Sequence, residues 1–313
     1  MIFFFYGPNA YMRNEQLGQM IAQYTKKTGS DIGLERINGA TTKPETLRAD
    51  IMAVPFLTTS RLVIIEDVAA NKAIAPKLAE LMAMVPSTTV VVFVEREVDQ
   101  RTIAFKELKK ADKVMKFDPL PRHQLAAWIK REAESLGTTI ESPGVNALLE
   151  ACGDDQWRLG QEINKLANFD ATISVKTVRE MVTPSVEQSI FELVEAMTAG
   201  RGDTAIAGYH RLLHMKKNEL GILAMVQWQL RNLLLAKTAI GMTSGELAKA
   251  TGMSSYVAGK MQTAQRRLTH ERLVAAFKQA ADCEYDIKSG RIKSEVGVEL
   301  LIYRVSLLSR TKA

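Results

Sequence analysis

Residues 2–14 read Ile2-Phe-Phe-Phe-Tyr6-Gly-Pro-Asn-Ala-Tyr-Met-Arg-Asn14. The first five are apolar and predict a buried strand that ends at the Gly-Pro pair. A helix with its apolar residues on one face is predicted over residues 12–26. A strand, a glycine-led turn and a helix in this order are typical of α/β folds, and of phosphate-binding loops within them.

The same alternation continues to residue 118. Further strands are predicted at 34–37, 62–65, 90–94 and 114–117, and further helices at 46–53, 75–84 and 101–110. Strands rich in Val and Ile, with helices between them, indicate a parallel sheet covered on both faces. The predicted fold class of residues 1–118 is therefore α/β.

Pro119 and Pro121 mark a boundary, beyond which strand patterns nearly vanish. Three helices are predicted at 121–136, 143–151 and 156–169, in a small domain that ends near Pro184. From residue 186 every segment is helical, with starts near 186, 203, 219, 244, 254, 269 and 294. Plausible N-caps are Asp203, Ser244, Ser254 and Thr269. The predicted domains are 1–118, 119–184 and 185–313.

The amino-acid composition limits the classes of protein to which the chain can belong. Hydrophobic residues make up 46% of the 313, as in ordinary globular proteins. Cys152 and Cys283 form no CxxC pair, and His210 and His214 lack a third ligand nearby, so a polar helix surface is favoured over a metal site. The chain shows neither a signal-peptide pattern nor an uninterrupted apolar run of about 18 residues, which predicts a soluble, cytoplasmic protein.

Charge is unevenly distributed along the chain. Residues 201–313 carry 18 Lys or Arg against 9 Asp or Glu, whereas residues 1–200 carry 23 against 26. A basic C-terminal third is compatible with a phosphate-bearing partner, although solvated helices also carry many basic residues.

The phosphate-loop pattern GxxxxGK[ST] is largely altered in this chain. Gly7 matches the first glycine, but Met12, Arg13 and Asn14 occupy the positions of the second glycine, the lysine and the magnesium-binding hydroxyl. The apolar run 62–65 ends in Glu-Asp, the reverse of the acidic pair that active enzymes carry. The sequence favours a loop kept for its shape, with an active ATPase or kinase as the alternative.

Several longer stretches carry a family resemblance, distributed over some 300 residues. They are Phe5-Tyr-Gly-Pro-Asn9, Pro55-Phe-Leu-Thr-Thr-Ser-Arg-Leu-Val63, Asp99-Gln-Arg-Thr-Ile-Ala-Phe-Lys-Glu-Leu-Lys109, Gly153-Asp-Asp-Gln-Trp-Arg-Leu-Gly-Gln-Glu-Ile-Asn-Lys-Leu166, Ile190-Phe-Glu-Leu-Val194, and the pieces Ala281-Asp282, Ile287-Lys-Ser-Gly290 and Val298-Glu-Leu-Leu301. Together, in this order, they resemble the delta subunit family of the bacterial DNA polymerase III clamp loader.

The resemblance implies an AAA+-like α/β domain at 1–118, a small helical lid at 119–184 and a helical collar, used for oligomerisation, at 185–313. It implies a non-catalytic subunit, without a cofactor, of a DNA-directed DNA polymerase holoenzyme, which is a nucleotidyltransferase. Its role in DNA replication would be to bind the sliding clamp (beta) and open it for loading onto primed DNA, without hydrolysing ATP. The implied partners are the clamp, the gamma/tau and delta prime subunits, and primer–template DNA, with no membrane.

The resemblance also points to three site residues. Phe56 and Leu57 align with the family's clamp-binding pair, although spacing alone favours a place in the core. Arg158 stands where AAA+ lids carry a nucleotide-sensing arginine. We expect it to have a structural or subunit-interface role here and to pair with Asp154 or Asp155, the alternative being an ordinary solvated side chain.

A third hypothesis is a DNA-binding regulator. The stretch Ser244-Gly-Glu-Leu-Ala-Lys-Ala-Thr-Gly-Met253 resembles the first helix and turn of a helix-turn-helix motif. The bundle interpretation is favoured, because the segment that follows lacks a clear recognition face.

Overall fold

The computed structural model describes residues 1–97, 99–253 and 255–310. The chain divides into two compact units, Met1–Pro119 and Leu120–Ala313. The predicted boundary at Pro119 falls at this division. The further boundary predicted near Pro184 lies inside the second unit and stays a prediction.

The first unit is a five-stranded sheet with helices. Its strands are β1 (Ile2–Tyr6), β2 (Leu34–Asn38), β3 (Arg61–Glu66), β4 (Thr89–Glu95) and β5 (Lys113–Lys116), and its helices are α1 (Ala10–Thr28), α2 (Pro44–Met52), α3 (Leu78–Ala83) and α4 (Ile103–Leu108). All pairings are parallel, in the order β2-β3-β4-β1-β5. The predicted α/β class is confirmed. One predicted helix, 75–84, begins as a 3₁₀ turn at Ala75–Lys77.

The three central strands β1, β3 and β4 are buried on both faces, which explains why they are apolar without alternation. In β1, Phe4 packs with α2, α3 and α4, whereas Phe5 packs with α1 and with Phe117. The rings of Phe5 and Phe117 meet edge to face with centroids 5.3 Å apart. This places the end of β1, and the turn after it, at a fixed point beside residue 117.

The second unit is mainly helical. Its elements are α5 (Arg122–Ser135), β6 (Thr139–Ile140), α6 (Ser142–Cys152), α7 (Gln156–Ala167), β7 (Thr172–Ile173), α8 (Val175–Met181), α9 (Val186–Thr198), α10 (Gly202–His214), α11 (Glu219–Thr238), α12 (Ser244–Thr251), α13 (Ser255–Ala264), α14 (His270–Lys288) and α15 (Ser294–Arg310). The prediction of three helices before residue 184 misses α8 and the short parallel pair β6–β7. Two-residue strands carry no periodic pattern that a sequence could show.

The seven predicted helices after residue 186 are confirmed, and their caps correct the prediction in detail. Thr269 caps α14 as predicted, accepting the N–H of Arg272 at 3.3 Å. Thr243 rather than Ser244 caps α12, in a capping box with Glu246. Helix α10 starts at Gly202, so Asp203 lies in its first turn and is not its N-cap as predicted. The predicted cap Ser254 lies outside the described residues.

Candidate functional site

The turn after β1 begins at Gly7, which lies against the backbone of Phe117. Gly7 has a φ of +122°, and a Cβ built on it would stand 2.4 Å from the carbonyl oxygen of Phe117. Its N–H donates to the carbonyl oxygen of Glu95 at 3.2 Å. Glycine is therefore required here by close packing as well as by conformation. The packing against Phe117 therefore explains why glycine occupies position 7, and this explanation does not require the loop to bind phosphate.

Helix α1 begins at Ala10, three residues before the position of the phosphate-binding lysine. Asn9 caps it: the side-chain oxygen accepts the N–H of Met12 at 3.1 Å, and the carbonyl oxygen accepts the N–H of Arg13 at 3.2 Å. In a working loop, backbone N–H groups of this segment wrap the phosphates. Here the N–H groups of Met12 and Arg13 are bonded to Asn9, so a capped helix start stands where the cradle would be.

Arg13 folds back onto this turn. Its side chain is buried, and its guanidinium donates to the carbonyl oxygen of Gly7. Burial lowers the pKa of Arg13 and the charge of Arg96 acts in the same direction, whereas Asp67 and Glu66 oppose the shift. The position that would reach outer phosphates therefore holds a guanidinium that already binds its own loop.

Met12 and Asn14 are ordinary helical residues of α1. Met12 is half-buried and packs on the apolar cluster between α1 and the sheet. Asn14 is exposed. The glycine that a wrapped loop needs at position 12 is not required by this geometry, because Met12 lies within a regular helix.

The acidic residues at the strand ends are held by the protein itself. Glu66 pairs with Arg36 at 3.5 Å, and Asp67 has a left-handed φ of 56° at the start of a 3₁₀ turn. Glu95, which ends β4, is buried and accepts the N–H of Ala69 at 2.8 Å. Burial raises the pKa of Glu95 to about 7, although the Ala69 hydrogen bond opposes this. Glu95 was not among the site residues predicted from the sequence, where its signal is an acidic residue that closes an apolar strand.

Arg158 lies on α7 in the second unit. The carboxylate of Asp155 caps this helix and accepts the backbone N–H groups of Trp157 and Arg158 at 3.0 and 3.3 Å. The guanidinium of Arg158 donates instead to the carbonyl oxygen of Thr183. The predicted pairing with Asp154 or Asp155 is therefore wrong, because the Asp155 carboxylate serves the helix start.

Residues 53–60, between α2 and β3, form what we call the apolar loop. Phe56 is 94% exposed and Leu57 is 69% exposed, and Val54 beside them is 73% exposed. The core placement that spacing alone favoured for Phe56 and Leu57 is not what the structure shows. Two large apolar side chains held in solvent are an unusual feature that a partner would explain.

The apolar loop is anchored at its two ends. Arg61, whose side chain is buried, donates to the carbonyl oxygens of Asp50 and Ala53 at 2.7 and 2.6 Å and pairs with Glu35. It therefore satisfies carbonyls at the C-terminal end of α2. The hydroxyl of Tyr24 donates to the carbonyl oxygen of Ser60 at 2.9 Å.

Close packing behind the loop adds to these anchors. A Cβ at Gly33 would stand 2.3 Å from the hydroxyl oxygen of Tyr24 and 2.9 Å from the side-chain oxygen of Thr58. The loop thus presents its apolar side chains from a fixed base.

Comparison with known proteins decides the family. The family model described as DNA polymerase III, delta subunit, matches residues 3–118, and that of the C-terminal domain of the delta subunit matches residues 187–305. The chain belongs to the DNA polymerase III delta subunit family. Together the two matches cover about three quarters of it.

One sequence match and one structure match, both to a delta protein of Bacillus subtilis, extend nearly end to end. The DNA polymerase III subunit delta of Bacillus subtilis (strain 168) is 23% identical over 327 residues, covering 99% of this chain and 94% of the relative. The solved Bacillus subtilis DNA clamp loader delta protein has a TM-score of 0.74 at 21% identity, covering 98% of this chain and 95% of that one. The predicted fold class, a parallel-sheet α/β part followed by helical parts, is confirmed.

The helix-turn-helix alternative meets a structural difficulty in this family fold. Over residues 257–264 of α13, Thr263 alone is exposed, and Ala258 and Met261 are fully buried. A recognition helix must offer several side chains to base edges. Over residues 257–264 only Thr263 is fully available for such contacts. In the described part of the chain, none of the helices combines the length and apolarity needed to cross a membrane.

Proposed function

We propose that the chain is the subunit of the bacterial clamp loader that binds the sliding clamp and opens one of its interfaces for loading onto primed DNA. It does so as a non-catalytic member of the polymerase holoenzyme, without hydrolysing ATP itself. Its partners are the beta clamp, the gamma/tau and delta prime subunits, and primer–template DNA within the complex, in the cytoplasm where bacterial DNA is replicated.

The observation that carries the proposal is the exposure of Phe56 and Leu57 on an anchored loop. Binding interfaces concentrate their energy in a few large side chains that enter pockets on the partner. A rigid base lowers the ordering cost of such an insertion. Because Arg61 and Tyr24 fix the ends of the apolar loop, its two large side chains are prepared to enter a pocket on the clamp.

The altered phosphate loop supports the non-catalytic part of the proposal. Phosphoryl transfer requires a cradle of N–H groups, a cation at the outer phosphates and a magnesium ligand. In this chain the N–H groups of Met12 and Arg13 are bonded to Asn9, and the Arg13 guanidinium binds Gly7. ATP would have to break these contacts to bind.

The experiment that tests the proposal is a titration of the purified chain with the organism's sliding clamp. Replacing both Phe56 and Leu57 by Ala removes two apolar anchors, each contributing about 2 kcal/mol or more. The double variant should bind the clamp roughly a thousandfold more weakly. Its melting temperature should barely change, because both side chains are exposed.

The matched control is Ile103→Ala, which truncates another apolar residue of the first unit, 64% exposed at the start of α4. It should leave clamp affinity unchanged. A double variant at 56 and 57 that binds the clamp as tightly as the unaltered chain would refute the assignment of these residues. A purified chain that does not bind the clamp at all would refute the proposed function.

A further inference from the structure

The exposed large apolar side chains of the first unit are concentrated in two segments of the chain. Among the described residues of this unit, seven such side chains are exposed, and two of them, Met1 and Ile103, stand apart. The other five lie before β2 or between α2 and β3, and they are Ile32, Met52, Val54, Phe56 and Leu57. Exposed apolar residues are ordinary when scattered singly, whereas a concentration of them marks an interaction surface.

Ile32 belongs to a loop that runs beside the apolar loop. Residues 29–33, here the second loop, connect α1 to β2, and the apolar loop leads into β3. Leu34 of β2 pairs in parallel with Leu62 of β3, and the N–H of Leu62 donates to the carbonyl oxygen of Gly33 at 2.9 Å. Since paired strands lie about 4.8 Å apart, both loops reach the same edge of the sheet side by side.

Gly33 brings the two loops into direct contact. A Cβ built on it would stand 2.9 Å from the side-chain oxygen of Thr58 and 3.0 Å from the carbonyl oxygen of Ser60. Ile32 and Leu57 are each one residue from the contact between Gly33 and Thr58. Their Cα atoms are therefore at most about 15 Å apart.

The area of a stable interface extends beyond Phe56 and Leu57. An aromatic side chain buries about 250 Å² at most, whereas a standard interface buries about 800 Å² of each partner, a compact patch roughly 30 Å across. A protein that covers Phe56 and Leu57 therefore also covers neighbouring surface. Ile32, 64% exposed, lies within that distance on a segment held against the apolar loop.

We propose that Ile32 is a third anchor for the sliding clamp, supplied by the second loop and acting together with Phe56 and Leu57. The clamp then binds a surface built from two loops, and the close approach of Gly33 to Thr58 fixes their relative position. The inference rests on the proposed function, because it assigns a further contact to the same partner.

The test is a titration of full-length variants with the organism's sliding clamp. Ile32→Ala should weaken clamp binding about fivefold to tenfold, because most of one buried apolar side chain is lost from the interface. Ile32→Glu should weaken it more, by about 30-fold, because a charge would enter an apolar contact. The melting temperature of both variants should stay unchanged, since Ile32 is exposed in the free chain.

Ile103→Ala is the matched control. Ile103 is the same residue type and is also 64% exposed, but it follows the carboxyl end of β4, at the opposite edge of the sheet from both loops. Its truncation should change clamp affinity by less than about twofold. Hydrogen–deuterium exchange gives a second measurement: clamp binding should slow exchange of the amides in residues 29–33 and leave residues 101–105 unchanged.

The outcomes separate this inference from the proposed function. If the unaltered chain binds the clamp and both Ile32 variants bind equally tightly, Ile32 is not an anchor and the proposed function stands. If the unaltered chain does not bind the clamp, both are wrong. Equal losses of affinity in Ile32→Ala and Ile103→Ala, or a lowered melting temperature in Ile32→Ala, would also overturn the inference, because the effect would then not come from a local contact.

Discussion

Glu95 is a carboxyl group that the fold takes out of water at the end of β4. Its pKa is raised from 4.5 to about 7, mainly by burial. Between these pH values the folded chain holds a proton that the unfolded chain has released. The contribution of Glu95 to stability is therefore complete below about pH 4.5 and is lost as pH rises through about 7.

Glu95→Gln should remove this dependence, because the amide stays neutral and its oxygen can still accept the N–H of Ala69. Relative to the unaltered chain, the variant should gain on the order of 2 kcal/mol of unfolding free energy between pH 5 and pH 8. Urea unfolding at several pH values measures the difference. Parallel pH curves for the two proteins would show that Glu95 titrates normally.

Arg13 gives a second prediction for a single side chain. We expect the purified chain to show no steady-state ATP hydrolysis, because the turn already uses its N–H groups and its cation internally. Arg13→Ala should not change the rate of ATP hydrolysis. It should lower the free energy of unfolding by about 1–3 kcal/mol, because packing is lost and the Gly7 carbonyl loses its donor. Phosphate release and calorimetry measure both effects. Hydrolysis by the unaltered chain that disappears in the variant would contradict this account.

At the scale of elements, Arg61 connects α2, β2 and the apolar loop. Arg61→Ala would leave the carbonyls of Asp50 and Ala53 without their donor and Glu35 without its cation. We expect a loss of about 2–3 kcal/mol in unfolding free energy, together with weaker clamp binding from a less ordered loop. Arg61→Lys should recover only part of both, since an ammonium group lacks the planar fork.

Arg36→Ala is the matched control for Arg61. It breaks the exposed pair with Glu66 on the neighbouring strand, and exposed pairs contribute about 0–1 kcal/mol. Chemical unfolding and clamp titration on all three variants separate the two sites. Equal losses for Arg61→Ala and Arg36→Ala would mean that Arg61 is not an anchor.

The elements show why part of the site could be predicted and part could not. Strands β1, β3 and β4 follow from local apolar runs, and the confirmed positions of all five strands differ from prediction by one residue or less at each end. The start of α1 was missed by two residues. Its cap, Asn9, is held by contacts to Phe117 and Asp118, more than 100 residues away, and these leave no local pattern.

The same reason applies to the candidate site residues. The exchanges at positions 12–14 were visible in the sequence as departures from a known pattern. The exposure of Phe56 and Leu57 could not be predicted from the pattern, because two adjacent apolar residues have the same sequence whether they lie in the core or on the surface. The anchors Arg61 and Tyr24 act through backbone carbonyls, which every sequence supplies and which therefore give no signal.

At the scale of the whole molecule, net charge differs between the N-terminal and C-terminal parts of the chain. The basic excess lies beyond residue 200, in the part with no strands among its described residues. One concentration of it is the end of α10, where Arg211, Lys216 and Lys217 are all exposed. Positive charge there also complements the helix dipole, so stability alone could explain the arrangement.

Measuring the binding of primer–template DNA distinguishes a role in DNA contact from a role in helix stability. In the assembled loader, each phosphate contact should steepen the fall of log affinity with log salt by about 0.9, whatever the base sequence. Replacing Arg211, Lys216 and Lys217 together by Ala should therefore lower the steepness by about 2 to 3. Lys288→Ala, which alters a lysine already paired with Glu284, should leave it unchanged. Fluorescence anisotropy between 50 and 300 mM salt measures the slope. If the triple variant loses thermal stability but keeps the full salt dependence, the basic cluster serves the helix rather than the DNA.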